Sequence, residues 1–249
     1  MRTVHGVNPV RELLRSGGEA PGELWIAEGA ERHRLGEILR LARRLGTRLR
    51  EAPRQKLDRL AGTDRHQGVV AVVADYRYRD LEDVLAAASL RGEPALVVVL
   101  DGVEDPHNLG AVVRSAHALG GHGVVIPNDR AAGVTAAAAK ASAGAVEHCP
   151  VARVTNLAQA LESLKESGLW TVAATADAEL DLEQVDLAGP VAIVLGGEGR
   201  GIRPLVRKAC DRAGRVPMAG EVGSLNVSAA AAICLYEALR QRRGARAVR

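Results

Sequence analysis

The chain has 249 residues, 47% hydrophobic and 25% charged, with a formal net charge of +3. That composition supports a buried core in one large domain or two ordinary ones and excludes a disordered or fibrous chain. No run approaches the roughly 18 apolar residues of a membrane helix, and Met1 to Pro21 carries charges where a signal peptide needs an apolar centre, so a cytoplasmic protein is expected. Cys149, Cys210 and Cys234 stand alone without a CxxC pair, which argues against a disulfide framework or a zinc knuckle. They read as buried small hydrophobes, and no metal is expected.

In chain order, residues 23–75 read as a small α/β unit: a strand at Leu24–Ala27, a helix at His33–Leu45, a strand at Thr47–Arg50, a helix at Arg54–Ala61 and a strand at Gly68–Ala74. Between Arg32 and Arg59 lie ten basic and three acidic residues, a local net charge of +7. That stretch reads either as a polyanion footprint or as a solvated helix face in an arginine-rich chain. With two Trp, three Tyr and no Phe, an aromatic base-stacking platform is not expected. Residues 76–93 contain the short amphipathic run LEDVLAAA and then the polar break Arg91-Gly-Glu-Pro94, which reads as a linker between domains at 1–75 and 94–249.

The second part opens with the apolar run Ala95–Leu100, a buried parallel strand, followed by a helix from about Leu109 to Leu119. Strand-like runs recur at Gly123–Ile126, Leu169–Ala174 and Val191–Leu195, with a helix at Asn156–Glu166 between them. Alternating strands and helices predict a parallel sheet covered on both faces. A closing helix from about Asn226 to Arg243 shows an apolar stripe of Ile233, Tyr236 and Leu239.

Three segments carry chemistry. In Asp105-Pro-His-Asn-Leu-Gly-Ala-Val-Val-Arg-Ser-Ala, Asn108 and Arg114 follow the first strand of the second part, where ligands of open α/β sheets bind. Asn108 is also a reasonable helix N-cap. Arg114 interrupts an apolar helix face and needs a partner, either an internal carboxylate or a phosphate that fits its planar fork. In Val191-Ala-Ile-Val-Leu-Gly-Gly-Glu-Gly-Arg-Gly-Ile, glycines at 196, 197, 199 and 201 fit neither GxGxxG nor a P-loop. They would let backbone approach a flat ligand closely, with Glu198 as the one carboxylate presented. In Val216-Pro-Met-Ala-Gly-Glu-Val-Gly-Ser-Leu-Asn, Val216, Met218, the turn from Gly220 to Gly223 and Ser224 to Asn226 form a wall able to bond an adenine edge. Capping accounts for one of Ser224 and Asn226, not for the whole segment.

Taken in this order, NLGAVVRSA, VLGGEGRGI and VPMAGEVGSLNVSAAAAICLYEALR resemble the three motifs of the SpoU/TrmH methyltransferases. The resemblance covers the whole length, because HGVNPVRELL and HQGVVAVV are similar to the small L30e-like substrate-binding domain of the bacterial subgroup that modifies a guanosine in the peptidyl-transferase loop of 23S rRNA. It implies a SPOUT-type α/β domain with a deep trefoil knot, a homodimer, and S-adenosylmethionine as methyl donor for 2′-O-methylation of RNA ribose. By position, Gly196, Val216, Met218 and Leu225 are implied cofactor contacts. Arg114 is implied near the reacting hydroxyl, with Asn108, Glu198, Ser224 and Asn226 around it. The alternatives are a tRNA ribose methyltransferase, or an RNA-binding assembly factor that keeps the fold without catalysis.

Overall fold

Ahead of the first expected strand, the chain already forms β1 (Arg2–His5) and α1 (Val7–Arg15). Periodicity missed both, because β1 is only four residues long and α1 has Pro9 in its first turn, where proline is tolerated but interrupts the pattern. The structure, a computed structural model, describes residues 1–16, 20–221 and 223–247. Within them β2 (Glu23–Ala27), α2 (Arg32–Arg44), β3 (Arg48–Ala52), α3 (Arg54–Ala61) and β4 (Val69–Val73) lie within one or two residues of expectation. They form a sheet in the order β1-β4-β2-β3, with β4 antiparallel to β1 and β2, and β2 parallel to β3. Val10, Leu13 and Leu14 of α1 pack with Leu35 and Ile38 of α2 on one face. Leu57 of α3 covers the other, against Trp25 and Val70.

The turn at His66-Gln67-Gly68 closes this unit. His66 Nδ1 accepts from the Gly68 amide at 3.0 Å, leaving Nε2 to meet Asp58 at 2.9 Å. Gln67 Oε1 accepts from the Val7 amide at 2.8 Å and so ties the start of α1 to the turn.

Residues 76–93, read as a linker, contain α4 (Leu81–Arg91), opened by a reciprocal Asp80–Asp83 capping box. Val84 and Ala88 bury α4 against the second sheet, beside Val97, Val99 and Val125. That sheet is built from β5 (Leu96–Asp101), α5 (Pro106–Ala118), β6 (Gly123–Pro127), α6 (Ala136–Ala141), β7 (Val151–Val154), α7 (Leu157–Glu166), β8 (Trp170–Ala174), β9 (Val191–Gly196), α8 (Pro204–Lys208), β10 (Arg212–Gly214) and α9 (Val227–Ala247). Its order is β10-β8-β9-β5-β6-β7 and its pairings are parallel.

Strand β5 is buried along its whole length. Leu96, Val98 and Leu100 face α5, α6 and α9, while Val97 and Val99 face α4 and α7, the two-residue period of a strand covered on both sides. Each such aliphatic side chain contributes about 1.5–3 kcal/mol on burial. The last helix corrects one expectation. Its inward face is Val227, Ala231, Cys234, Leu235 and Ala238, whereas Ile233 and Tyr236 are 40% and 59% exposed. Small residues let α9 sit close against α5 and β9, which leaves the bulkier Ile233 and Tyr236 pointing outward.

Cys149 and Cys234 are buried as read, and burial pushes their thiols up to about 12. Cys210 is only half-buried, with its thiol donating to the Val206 carbonyl at 3.3 Å. The first unit sits against the second through Arg2–Glu147 at 2.7 Å, His148–Glu12 at 3.1 Å and Lys140 to the Arg65 carbonyl at 3.2 Å. Among the described residues no helix is long and apolar enough to cross a membrane.

Candidate active site

From β5 the chain steps outward to β6 and β7 on one side, and β9 and β8 fill the other. The crevice beyond the carboxyl ends of β5 and β9 is therefore the switch point where an open α/β sheet binds its ligands. Asp101, the last residue of β5, is fully buried and holds the crevice together. Its Oδ1 accepts from Arg203 Nε at 2.7 Å and its Oδ2 from the Arg203 amide at 2.8 Å. Both bonds offset the cost of a buried carboxylate and pin the segment leading into α8. Reading by sequence missed this pair, whose signal was an acidic residue closing an apolar strand.

The glycine segment after β9 turns tightly. The Gly197 amide donates to the Asp101 carbonyl at 2.7 Å, and the Gly201 amide donates back to the Gly197 carbonyl at 3.1 Å. A Cβ on Gly196 would lie 2.0 Å from the Gly201 carbonyl carbon, and one on Gly197 would lie 1.9 Å from the Gly102 carbonyl oxygen. These glycines clear neighbouring backbone. On its Cβ side Gly196 therefore meets the chain's own loop, while its remaining surface lines the cavity described below.

The turn presents Glu198 to two amides from distant parts of the chain. Asn108 Nδ2 donates to Glu198 Oε1 at 3.1 Å, and Asn226 Nδ2 donates to the same oxygen at 2.7 Å and to Asn108 Oδ1 at 3.0 Å. Asn226 also caps α9, its Oδ1 accepting from the Ser228 amide at 2.9 Å. Asn108 is not a cap. Asp105 fills that role for α5, accepting from the His107 amide at 2.8 Å with Pro106 in the first turn, which frees the Asn108 side chain for Glu198.

Two pockets meet at this turn. One, of about 350 Å³, is lined by Gly196, Val216, Met218, Ser224 and Leu225 together with Leu195 and Ile202. It brings all four expected cofactor residues into one cavity, although Val222 in the adjoining turn lies outside the described residues. Its size, apolar side chains and backbone wall suit a nucleoside with a short charged tail, which is the fit S-adenosylmethionine requires. The other pocket, of about 470 Å³, is ringed by charged and amide side chains, Asn108, Glu104, Asp129, Arg130, Arg200 and Arg203 among them. Gly197, Glu198, Gly201 and Val227 line both. No group of three or more His, Cys, Asp or Glu side chains is placed to hold a metal among the described residues.

Arg114 lies elsewhere. It is exposed on α5, lines neither pocket and has no hydrogen bond or ion pair among the described residues, so neither the burial nor the internal carboxylate pair expected for it is found. The helix explains this, because six residues turn Arg114 well away from the face that carries Asn108. It borders a cleft with Glu12, His117 and His148, where the first unit meets the second.

Comparison with known proteins agrees with the geometry. Residues 95–236 match the SpoU rRNA methylase family, and residues 3–79 match the substrate-binding family of RNA 2′-O-ribose methyltransferases. A TrmH family tRNA/rRNA methyltransferase of Bacillus subtilis is 46% identical, with 96% of this chain and 95% of that protein covered. The 23S rRNA (guanosine-2′-O-)-methyltransferase RlmB of Shewanella oneidensis is 43% identical, with 96% and 97% covered. Among solved structures, the SpoU methyltransferase AviRb of Streptomyces viridochromogenes in complex with AdoMet superposes with a TM-score of 0.82 at 27% identity, covering 97% of this chain and 90% of that one.

Proposed function

The chain belongs to the SpoU rRNA methylase family, and on that premise we propose that it methylates the ribose 2′-hydroxyl of a guanosine in the peptidyl-transferase loop of 23S rRNA, with S-adenosylmethionine as donor. The observation that carries the reading is the single glycine turn shared by two pockets, one walled mainly by apolar residues and backbone and the other ringed by charged side chains, which sets a methyl donor and an acceptor ribose on either side of Glu198. S-adenosylmethionine supplies an electrophilic methyl group on a sulfonium. Gly196, Val216, Met218 and Leu225 hold its adenosine end by backbone and apolar contact. Asn108, Glu198 and Asn226, with Ser224 beside them, orient the acceptor hydroxyl.

Arg114 completes the site from a second copy of the chain. The homodimer is supported by the exposed Ile233 and Tyr236 on α9 and by the position of Arg114, free on the surface and away from its own chain's Glu198. A guanidinium is a poor general base, so the role of Arg114 is to grip the adjacent phosphate and help the hydroxyl lose its proton. Residues 1–75, with their +7 stretch, supply RNA affinity, and residues 94–249 supply cofactor binding. Support for the threaded crossing of the family comes from the family match over residues 95–236 and the superposition on the AviRb methyltransferase. Action on ribosomal RNA supports a cytoplasmic location.

Transfer of labelled methyl from S-adenosylmethionine to a 23S rRNA transcript, beside tRNA as competitor substrate, tests the reading. Label on the ribosomal transcript is expected. Preference for tRNA would move the assignment to tRNA ribose methylation, and absence of cofactor binding would leave an assembly factor.

A further inference from the structure

We propose that Arg130 and Arg200 form a phosphate clamp for the RNA strand that carries the acceptor nucleotide, in the charged pocket that Asn108 also lines. The proposal rests on the methyltransferase reading above and adds to it the residues that seat the strand. Both arginines line that pocket, both are exposed, and neither has a hydrogen bond or ion pair among the described residues. Arg203, on the same pocket, is already committed to Asp101. Two free guanidiniums beside an acceptor site match the two phosphates that flank any internal ribose.

Backbone geometry points the same way. Arg130 has φ of +53°, a left-handed conformation that side chains beyond Gly, Asn and Asp rarely adopt. The loop is held in it from both sides, by the Asn128 amide on the Val154 carbonyl and the Ala132 amide on the Val103 carbonyl, each at 2.8 Å. Arg200 stands on the turn closed by Gly197 and Gly201, two residues beyond Glu198. The two arginines are thus presented by hydrogen-bonded loops after β6 and β9, the strands on either side of β5. Apart from Asp101, which Arg203 pairs, the pocket's carboxylates, Glu104, Asp105, Asp129 and Glu198, would repel phosphate and suit instead the donors on the Watson–Crick edge of guanine or the ribose hydroxyl.

The test uses the full chain with a 23S rRNA peptidyl-transferase-loop transcript, in Arg130→Gln, Arg200→Gln and the double variant. The logarithm of RNA affinity is plotted against that of salt concentration, and S-adenosylmethionine affinity is measured in parallel. Each lost phosphate contact should lower the salt slope by about 0.7 and weaken RNA binding several-fold at about 0.1 M salt. Cofactor affinity should stay within about twofold, and Arg130→Lys and Arg200→Lys should keep the slope, since a phosphate contact needs charge first. Arg130→Asn suits the left-handed backbone and replaces Arg130→Gln should the latter not fold. An unchanged slope and RNA affinity in a double variant that binds cofactor normally would overturn the clamp. Failure of the methyltransferase reading shows separately, as a wild-type chain that transfers no methyl group.

Discussion

Asn226 Nδ2 lies 2.7 Å from Glu198 Oε1, joining the cap of the last helix to the glycine turn after β9. Asn108 Nδ2 reaches the same oxygen from α5, so one carboxylate orients two carboxamides that are 118 residues apart in the chain. Glu198→Ala should release both amides and lower the single-turnover methyl-transfer rate about hundredfold, the scale of losing one preorganised polar group. Cofactor affinity should change only a few-fold. Equal losses in rate and cofactor affinity would show that Glu198 shapes the pocket and does not orient the acceptor.

Arg114→Lys should reduce methyl transfer about hundredfold or more while sparing cofactor binding, because lysine keeps the charge and loses the planar fork. If Arg114 serves its partner's site, mixing Arg114→Lys chains with Glu198→Ala chains restores activity. Random exchange gives half mixed dimers, each with one intact site, so about a quarter of wild-type activity returns. No recovery on mixing would place Arg114 and Glu198 in the same chain's site.

Much of this site was legible because its chemistry is local in sequence: Glu198 stands alone among four glycines, and Asn226 sits at the start of a clear helix. Strand β5 was legible for the same reason, since burial on both faces leaves an unbroken apolar run. What depends on distant backbone was not. No local pattern shows that Gly197 packs on the Gly102 carbonyl, that Asp101 is buried against Arg203, or that small residues turn α9 so that Ile233 and Tyr236 face outward. The exposure of Arg114 was hidden because apolar neighbours in sequence are not neighbours around a helix.

The glycine turn gives a stability ordering. Gly197→Ala places a methyl 1.9 Å from a backbone oxygen and should cost about 2 kcal/mol or more, as overpacking does. Gly199 has open space around its missing Cβ and a φ of +79°, so Gly199→Ala should cost about 1 kcal/mol from the backbone alone. Urea unfolding decides the order. Equal midpoints would mean that the Gly102 contact relaxes freely.

Acid should weaken the fold through its buried histidines. Burial, with Arg91 second, holds His122 below its ordinary value of 6.5, and its Nδ1 accepts from the Leu96 amide at 3.0 Å, a bond that protonation removes. Burial lowers His5 as well. A depressed folded pKa favours the neutral form in the native state, so this stability is complete above 6.5 and is lost as pH falls through the folded values. The urea midpoint should drop between about pH 7.5 and about pH 5, and His122→Gln should flatten the drop. A midpoint independent of pH over that range would contradict the assignment.

Mass analysis of nucleosides released from a 23S rRNA transcript, after incubation with the protein and S-adenosylmethionine, bears most directly on the proposed chemistry. 2′-O-methylguanosine is expected at a single position in the peptidyl-transferase loop, abolished when that guanosine is replaced by its 2′-deoxy form. A methyl group on a base, or transfer that survives loss of the 2′-hydroxyl, would contradict it.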